Sequence, residues 1–153
     1  MGNERIFADT NLFLRFLTND IPEQADLVER LLQQAAQGEL ILVTNAMVLA
    51  EIVWTLESFY RLEKPDVQAK ILAILNTPGL EVAESDLLLQ AILWYAEKNV
   101  DFIDAYNAAW MRARKIDIVS TFDRKHFNRF DDVIVRLPDE IAAGEHPQQT
   151  PSP

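Results

Sequence analysis

The chain alternates between short apolar runs and longer segments with helical periodicity, and this alternation constrains its fold more than any other feature. We predict strands over residues 5–8, 40–43, 80–83, 117–121 and 133–135. The segments between these runs, such as 22–37 and 45–60, place apolar residues at helical spacing. Strands that alternate with helices favour a parallel sheet covered by helices on both faces. We therefore expect an α/β domain.

The length of the chain, the composition of its C-terminal part and its candidate helix caps indicate how this domain is organised. Residues 1–137 of the 153 are enough for one domain with its own core. Residues 138–153 are polar and rich in proline, which predicts a flexible tail. Helix N-caps are predicted at Thr44 or Asn45, at Ser85 and at Asp101.

The composition excludes several kinds of site. The chain has no cysteine, which excludes disulfides, thiolate metal sites and cysteine nucleophiles. No signal segment follows Met1, and no apolar run is long enough to span a bilayer, so we expect a cytoplasmic protein without membrane contact. The net charge of −10 argues against a broad basic surface for nucleic acids. Divalent cations bound to clustered acids would offset part of this charge.

Two carboxylates directly follow predicted strands. Asp9 comes after the first strand and Asp123 after the fourth. In parallel α/β sheets, ligands bind outside the carboxyl ends of the strands, so both side chains are candidates for one crevice. Each is also well placed to cap the helix that follows, a role worth about 1 kcal/mol.

A third carboxylate, Glu51, lies inside the apolar run "AMVLAEIVWTL". We expect its neighbours to bury it, and an unpaired buried carboxylate costs several kcal/mol unless it protonates or binds a cation. The positions three and four residues away hold no Lys or Arg that could form a local ion pair. They are Met47, Val48, Trp54 and Thr55. We therefore interpret Glu51 as a functional residue.

Asp101 and Asp104 stand three residues apart at the start of a predicted helix. This spacing is typical of a capping arrangement, which explains Asp101 better than Asp104. The small residues Ala105 and Ala108 leave room for the Asp104 carboxylate to reach a neighbouring element. Carboxylates that converge repel one another, and a hard divalent cation such as Mg²⁺ or Mn²⁺ relieves the repulsion. Such a centre favours phosphodiester hydrolysis.

Four segments of the chain together resemble the PIN domain family, and most closely its VapC-type toxin ribonucleases. They are "FADTNLFLRFL", "TNAMVLAEIVWTL", "DFIDAYNAA" and "IVSTFDRKHF". The resemblance runs from Arg5 to Leu137 and implies a three-layer sandwich with a short, mostly parallel central sheet flanked by helices. It also implies a metal-dependent endoribonuclease that hydrolyses RNA phosphodiester bonds with Mg²⁺ or Mn²⁺, as the toxin of a toxin–antitoxin pair.

The resemblance also assigns roles residue by residue. The catalytic metal ligands of the family fall on Asp9, Glu51, Asp104 and Asp123. Accessory roles fall on Asn11, Asp101 and Thr121. The implied partners are RNA, an antitoxin protein of VapB type that occludes the active-site groove, and a second copy of the chain in a homodimer.

Because the chain is acidic overall, attraction for RNA must come from the metal or from local cations. Candidate cations are Arg15, Arg124, Lys125 and Arg129. An ordinary solvated surface explains these side chains equally well.

Other functions are weighed against the nuclease. A PIN-like interaction module without catalysis is the main alternative, and it would show no specific Mn²⁺ or Mg²⁺ binding. A haloacid-dehalogenase-type phosphatase needs an Asp-x-Asp after the first strand, where this chain has Asp9-Thr10-Asn11. Receiver domains need an early acidic pair that the chain lacks. His126 has no nucleophile motif beside it, so we expect it to pack or to lie in solvent. The tryptophans Trp54, Trp94 and Trp110 are interpreted as core or dimer-face residues, with base stacking as an alternative.

Overall fold

Short parallel strands form the scaffold of the computed structural model, which describes residues 4–144. They are β1 (Arg5–Phe7), β2 (Ile41–Thr44), β3 (Leu80–Val82), β4 (Ile118–Ser120) and β5 (Ile134–Arg136). Hydrogen bonds join β1, β2 and β3 in that order, and they join β4 to β5; all three pairings are parallel. The predicted parallel arrangement is confirmed. Among the described residues the hydrogen-bond ladders divide the strands into two sheets, because strands of three or four residues form few ladder bonds.

Helices connect and cover these strands. They are α1 (Thr10–Thr18), α2 (Pro22–Ala36), α3 (Ala46–Ser58), α4 (Lys64–Leu75), α5 (Ser85–Glu97), α6 (Phe102–Ala113), α7 (Arg124–Phe127) and α8 (Pro138–Ala142). A helix is expected after Asp123, without stated bounds, whereas the sequence does not predict α8; α7 and α8 are only four and five residues long. Within residues 4–144, no helix has both the length and the apolar composition needed to cross a bilayer.

Helix α8 lies at the start of the predicted flexible tail, 138–153, so that prediction is wrong for its first residues. Pro138 stands in the first turn, where its missing N–H is not needed. Glu140 accepts a hydrogen bond from the Leu137 N–H (3.0 Å) and contacts the Arg124 guanidinium (2.5 Å). Residues 145–153 of the predicted tail lie outside the described residues.

The core forms where α3, α4, α5 and α6 meet. Its fully buried side chains include Leu49, Ile52, Leu56, Val67, Ile71, Leu88, Ile92 and Tyr95. Each large apolar side chain buried in this way stabilises the fold by about 1.5–3 kcal/mol. The Tyr95 hydroxyl donates a hydrogen bond to Glu57. The Lys64 ammonium lies 3.9 Å from the centre of the Tyr95 ring. Burial, and then the Glu57 contact, raise the pKa of Tyr95.

Helix α3 turns one face away from this core, and Glu51 lies on that face. The exposed stripe consists of Met47, Glu51, Trp54 and Ser58, which are spaced by four, three and four residues and so share one side of a helix. The expectation that Glu51 is buried is therefore wrong, because its apolar sequence neighbours cover the opposite side of α3. Trp54 is 67% exposed, so it is not a core residue.

The predicted caps have mixed outcomes. Asn45 caps α3, and its side chain accepts a hydrogen bond from the Val48 N–H (3.2 Å). Ser85 does not cap α5. The N-cap position belongs to Glu84, which has a left-handed backbone (φ 58°) because the chain turns sharply between β3 and α5.

Gly79 allows the chain to pass close to the end of α2. Its φ is +77°, and a Cβ atom added there would lie 2.2 Å from the backbone oxygen of Ala35. Because this neighbour is backbone, it has little room to move. Gly79 also accepts a hydrogen bond from the Leu42 N–H (3.0 Å), so the close approach fixes how β2 meets β3.

We predict that Gly79→Ala destabilises the protein by roughly 2–4 kcal/mol, because it adds a steric clash to the cost of a positive φ. Gly38 is a matched control: its φ is +80°, and an added Cβ would meet no heavy atom within 4 Å. Gly38→Ala should therefore cost only about 1–2 kcal/mol. Urea unfolding of both variants measures the difference, and equal losses would contradict the close approach.

Candidate active site

Asp9 lies at the carboxyl end of β1, where the backbone is fixed on two sides. The Ala8 N–H donates to the Val43 carbonyl (2.8 Å), and the buried Thr44 hydroxyl donates to the Ala8 carbonyl (3.0 Å). Asp9 occupies the N-cap position of α1, but its side chain makes no capping hydrogen bond. The capping interpretation therefore does not account for this carboxylate, which is exposed at the surface.

Glu51 is held beside the start of α1 by Thr10. The Thr10 hydroxyl donates a hydrogen bond of 2.8 Å to Oε2 of Glu51, across 41 positions of sequence. Thr10 itself is only 4% exposed, so its hydroxyl is fixed by the packing around it. Because Thr10 directly follows Asp9, this bond brings two of the predicted acids to the same end of β1.

A second group of donor atoms joins α6 to α7. Oδ2 of Asp104, in the first turn of α6, lies 2.9 Å from Nδ1 of His126, and Oδ2 of Asp101 lies 3.4 Å from the same nitrogen. Asp101 stands at the predicted N-cap position of α6 but makes no capping hydrogen bond. The capping role expected for its side chain is therefore wrong, because the carboxylate turns towards the imidazole instead.

Asp123 begins α7, the helix that carries His126. Its Oδ1 accepts the Lys125 N–H (3.1 Å), so for this residue the capping interpretation holds and uses one carboxylate oxygen. Its own N–H donates to the hydroxyl of Thr121 (3.0 Å), which fixes the turn after β4. The fourth predicted acid is thus placed one helical turn from the imidazole that contacts Asp104.

Two adjoining depressions lie along the boundary between α3 and α6. Asp101 and Asp104 border a cleft of about 240 Å³. Glu51 borders a wider groove of about 610 Å³. The two share three wall residues, which are Ala50, Trp54 and Ile103. Glu51 of α3 and Asp104 of α6 therefore border adjoining depressions, and the exposed Trp54 lines both of them.

The acids offer the oxygen ligands that a hard divalent cation prefers. Glu51, Asp104 and Asp123 are held by the Thr10 hydroxyl, the His126 ring and the Lys125 N–H. Within the described residues, donor atoms of Asp101, Asp104 and His126 lie within 4.8 Å of one another and could hold a metal ion. Asp9, Glu51 and Asp123 are not part of that group, so the structure brings only Asp104 of the four predicted ligands into it.

The predicted RNA-binding cations lie in different surroundings. Arg15 donates to Gln24 (2.8 Å) and pairs with Asp20 (3.3 Å), which ties the α1–α2 corner together. Arg124 pairs with Glu140 of α8. Lys125 is exposed beside Asp123.

The pKa shifts agree with these contacts. The Tyr60 hydroxyl, with smaller contributions from Thr18 and Arg15, holds the pKa of Asp20 below its usual range. The Leu137 N–H and then Arg124 lower the pKa of Glu140. Both arginines therefore stabilise acids of the chain itself.

Two further residues, one predicted as accessory and one not predicted, lie near these acids in the sequence or in the fold. Asn11 lies exposed in the first turn of α1, two residues after Asp9. His126 was not predicted as a site residue, because no local motif surrounds it. The helical spacing of "DRKHF" alone could have placed it one turn after Asp123, but its contact with Asp104 spans 22 positions.

Comparison with known proteins places this chain in a family. The family model of the PIN domain matches residues 6–133. The VapC ribonuclease of Aquifex aeolicus (strain VF5) is 26% identical over 118 residues, which cover 76% of this chain and 86% of that protein. The solved structure of Mycobacterium tuberculosis VapC20, described as a sarcin-ricin loop cleaving toxin, is 25% identical. The alignment covers 79% of this chain and 92% of that one, with a TM-score of 0.36. Since the family model spans well over half of the 153 residues, the chain belongs to the PIN domain family.

Proposed function

We propose that the protein is a metal-dependent endoribonuclease that hydrolyses RNA phosphodiester bonds and acts, in the cytoplasm, as the toxin of a toxin–antitoxin pair. The observation that carries this proposal is the pairing of Thr10 with Glu51, which holds an acid of α3 beside Asp9 at the end of β1. Membership of the PIN family and the similarity to a protein named VapC ribonuclease support it.

Each acid has a proposed part in the reaction. Asp9, Glu51, Asp104 and Asp123 bind Mg²⁺ or Mn²⁺. These residues would hold an ion that would supply neutralisation of charge on the scissile phosphate and a bound water of lowered pKa. The chain supplies the positions of the ligands, through Thr10 for Glu51 and through the α7 cap for Asp123.

Accessory residues shape the surroundings of these ligands. Thr121 fixes the turn in which Asp123 lies. Asn11 is close enough in sequence to Asp9 to orient it from the first turn of α1. Asp101 contributes a further carboxylate at the mouth of the cleft.

RNA binding has to overcome the net charge of −10. We propose contacts from Arg15, Arg124 and Lys125 to the RNA backbone. Lys125 can bind phosphate as it stands, whereas Arg15 and Arg124 have to exchange a carboxylate partner for a phosphate. Binding therefore depends largely on the metal, and it should weaken as salt is raised.

The partners we propose are an antitoxin of VapB type and a second copy of the chain. The groove beside Glu51 is lined by exposed apolar side chains, among them Phe7, Met47 and Ile103. A contiguous apolar surface of this kind is typical of protein interaction sites. Acids at its edge favour a partner segment that carries basic residues.

We predict that the purified protein cleaves total cellular RNA when Mn²⁺ or Mg²⁺ is added and not when the metal is chelated. Glu51→Gln and Asp104→Asn should each lower the cleavage rate at least about 100-fold, because each removes a charged ligand of the ion. Asp66→Asn is the control, since Asp66 is exposed as Glu51 is and lies in the first turn of a helix, α4, as Asp104 does in α6. Undiminished cleavage by folded Glu51→Gln would contradict the role of Glu51 as a metal ligand, whereas no metal-dependent cleavage by the unaltered protein would favour an interaction module without catalysis.

We also predict that Thr10 acts as a positioning residue. Thr10→Val keeps the shape of the side chain but removes the hydrogen bond to Glu51, so metal affinity should fall about 10-fold. Thr10→Ser keeps the hydroxyl and should retain nearly all of the affinity. Calorimetric titration with Mn²⁺ measures both, and equal affinities for the Val and Ser variants would show that this hydrogen bond does not position Glu51.

A further inference from the structure

We propose that His126 is a nitrogen ligand of the metal centre and that, with Asp101 and Asp104, it makes the centre prefer Mn²⁺ to Mg²⁺. The inference rests on the proposed function for the role of Asp104 as a metal ligand. It adds an imidazole nitrogen to the carboxylate ligands. It also predicts which of Mn²⁺ and Mg²⁺ binds more tightly, which the oxygen ligands alone do not determine.

The three donor atoms already stand at the separations that a shared ion requires. One donor atom from each residue lies within 4.8 Å of the other two. Nδ1 of His126 is 2.9 Å from Oδ2 of Asp104 and 3.4 Å from Oδ2 of Asp101. Adjacent ligands of an octahedral ion with bonds of about 2.1 Å are about 3 Å apart. An ion can therefore bind among these atoms with small movements of the side chains.

The imidazole is presented by a well-anchored element. The side chain of His126 is 18% exposed and that of Asp104 is 20% exposed. Helix α7 is fixed at its start by the Asp123 cap and at its end by buried Phe127. Phe130, just beyond α7, is also buried, with its ring 5.1 Å from that of Trp94. The nitrogen is thus held in place rather than carried by a loose surface side chain.

Asp101 supplies a second observation. A residue at an N-cap position is stabilised by bonding to the first turn of its helix, yet Asp101 makes no such bond and turns towards His126. Its side chain is 69% exposed, so it can adjust to an arriving ion. Asp101 and Asp104 line the cleft beside α3, and His126 lies within hydrogen-bond distance of Asp104. Three donors from two elements therefore converge at this cleft.

An imidazole donor changes which ion is bound best. Imidazole nitrogen suits first-row transition ions, whereas Mg²⁺ prefers oxygen ligands and retains its waters. Removing the nitrogen should therefore weaken Mn²⁺ binding much more than Mg²⁺ binding. A simple ion pair between His126 and Asp104 predicts no such difference.

The test uses the full chain loaded with Mn²⁺, and it compares His126→Asn with His146→Asn. Asparagine places its amide near the position of Nδ1, so it can still hydrogen-bond to Asp104 but offers no imidazole nitrogen. His146 is the other histidine of the chain, which makes its variant the matched control. Pulsed electron paramagnetic resonance detects nitrogen coupled to bound Mn²⁺, and titration with each ion gives the affinities.

We expect nitrogen coupling in the wild-type protein and in His146→Asn, and its loss in His126→Asn. The Mn²⁺ affinity of His126→Asn should fall at least about 10-fold, with a change of less than about 3-fold for Mg²⁺. Bound Mn²⁺ without nitrogen coupling in the wild type would overturn the inference, whether or not the variant folds, and would leave a metal-dependent nuclease intact. Failure of the wild type to bind either ion would overturn the proposed function as well.

Discussion

The hydrogen bond from Thr10 to Glu51 is the contact on which the arrangement of the acids depends. Because β1 and β2 pair in parallel, α1 and α3 both follow strands that end at the same edge of the sheet. At that edge the Thr44 hydroxyl donates a hydrogen bond to the Ala8 carbonyl. This brings the two helices near each other but does not orient a long, exposed Glu side chain. The buried Thr10 hydroxyl supplies the orientation, so Glu51 stays beside Asp9 although most of its helical face points into solvent.

The other acids are gathered by a different element, the four-residue helix α7. Its cap fixes Asp123, and one turn later its imidazole contacts Asp104 and Asp101. Carboxylates that lie close together repel one another, and His126 is a polar group that contacts two of them, Asp101 and Asp104. The same nitrogen is available to a transition ion, so a stabilising contact and a metal preference can share one side chain.

Local patterns in the sequence were sufficient for much of this arrangement. The end of β1 before Asp9, a cap at Thr44 or Asn45 and the parallel pairing follow from alternation and capping chemistry, which act over a few residues. The exposure of Glu51 was missed because its sequence neighbours are apolar, although a spacing of four, three and four from Met47 to Ser58 already places it on one helical side. The contact of His126 with Asp104 spans 22 positions and begins in a helix too short to show periodicity, so only tertiary packing reveals it.

The proposed metal centre requires the two groups of acids, one at β1 and one at α6 and α7, to share a cation. Anomalous scattering from crystals soaked in Mn²⁺ tests this most directly, because it locates the ion independently of activity. We expect Mn²⁺ within about 2.5 Å of carboxylate oxygens from both Glu51 and Asp104. Manganese bound by only one of the two groups, or by neither, would contradict a shared metal centre.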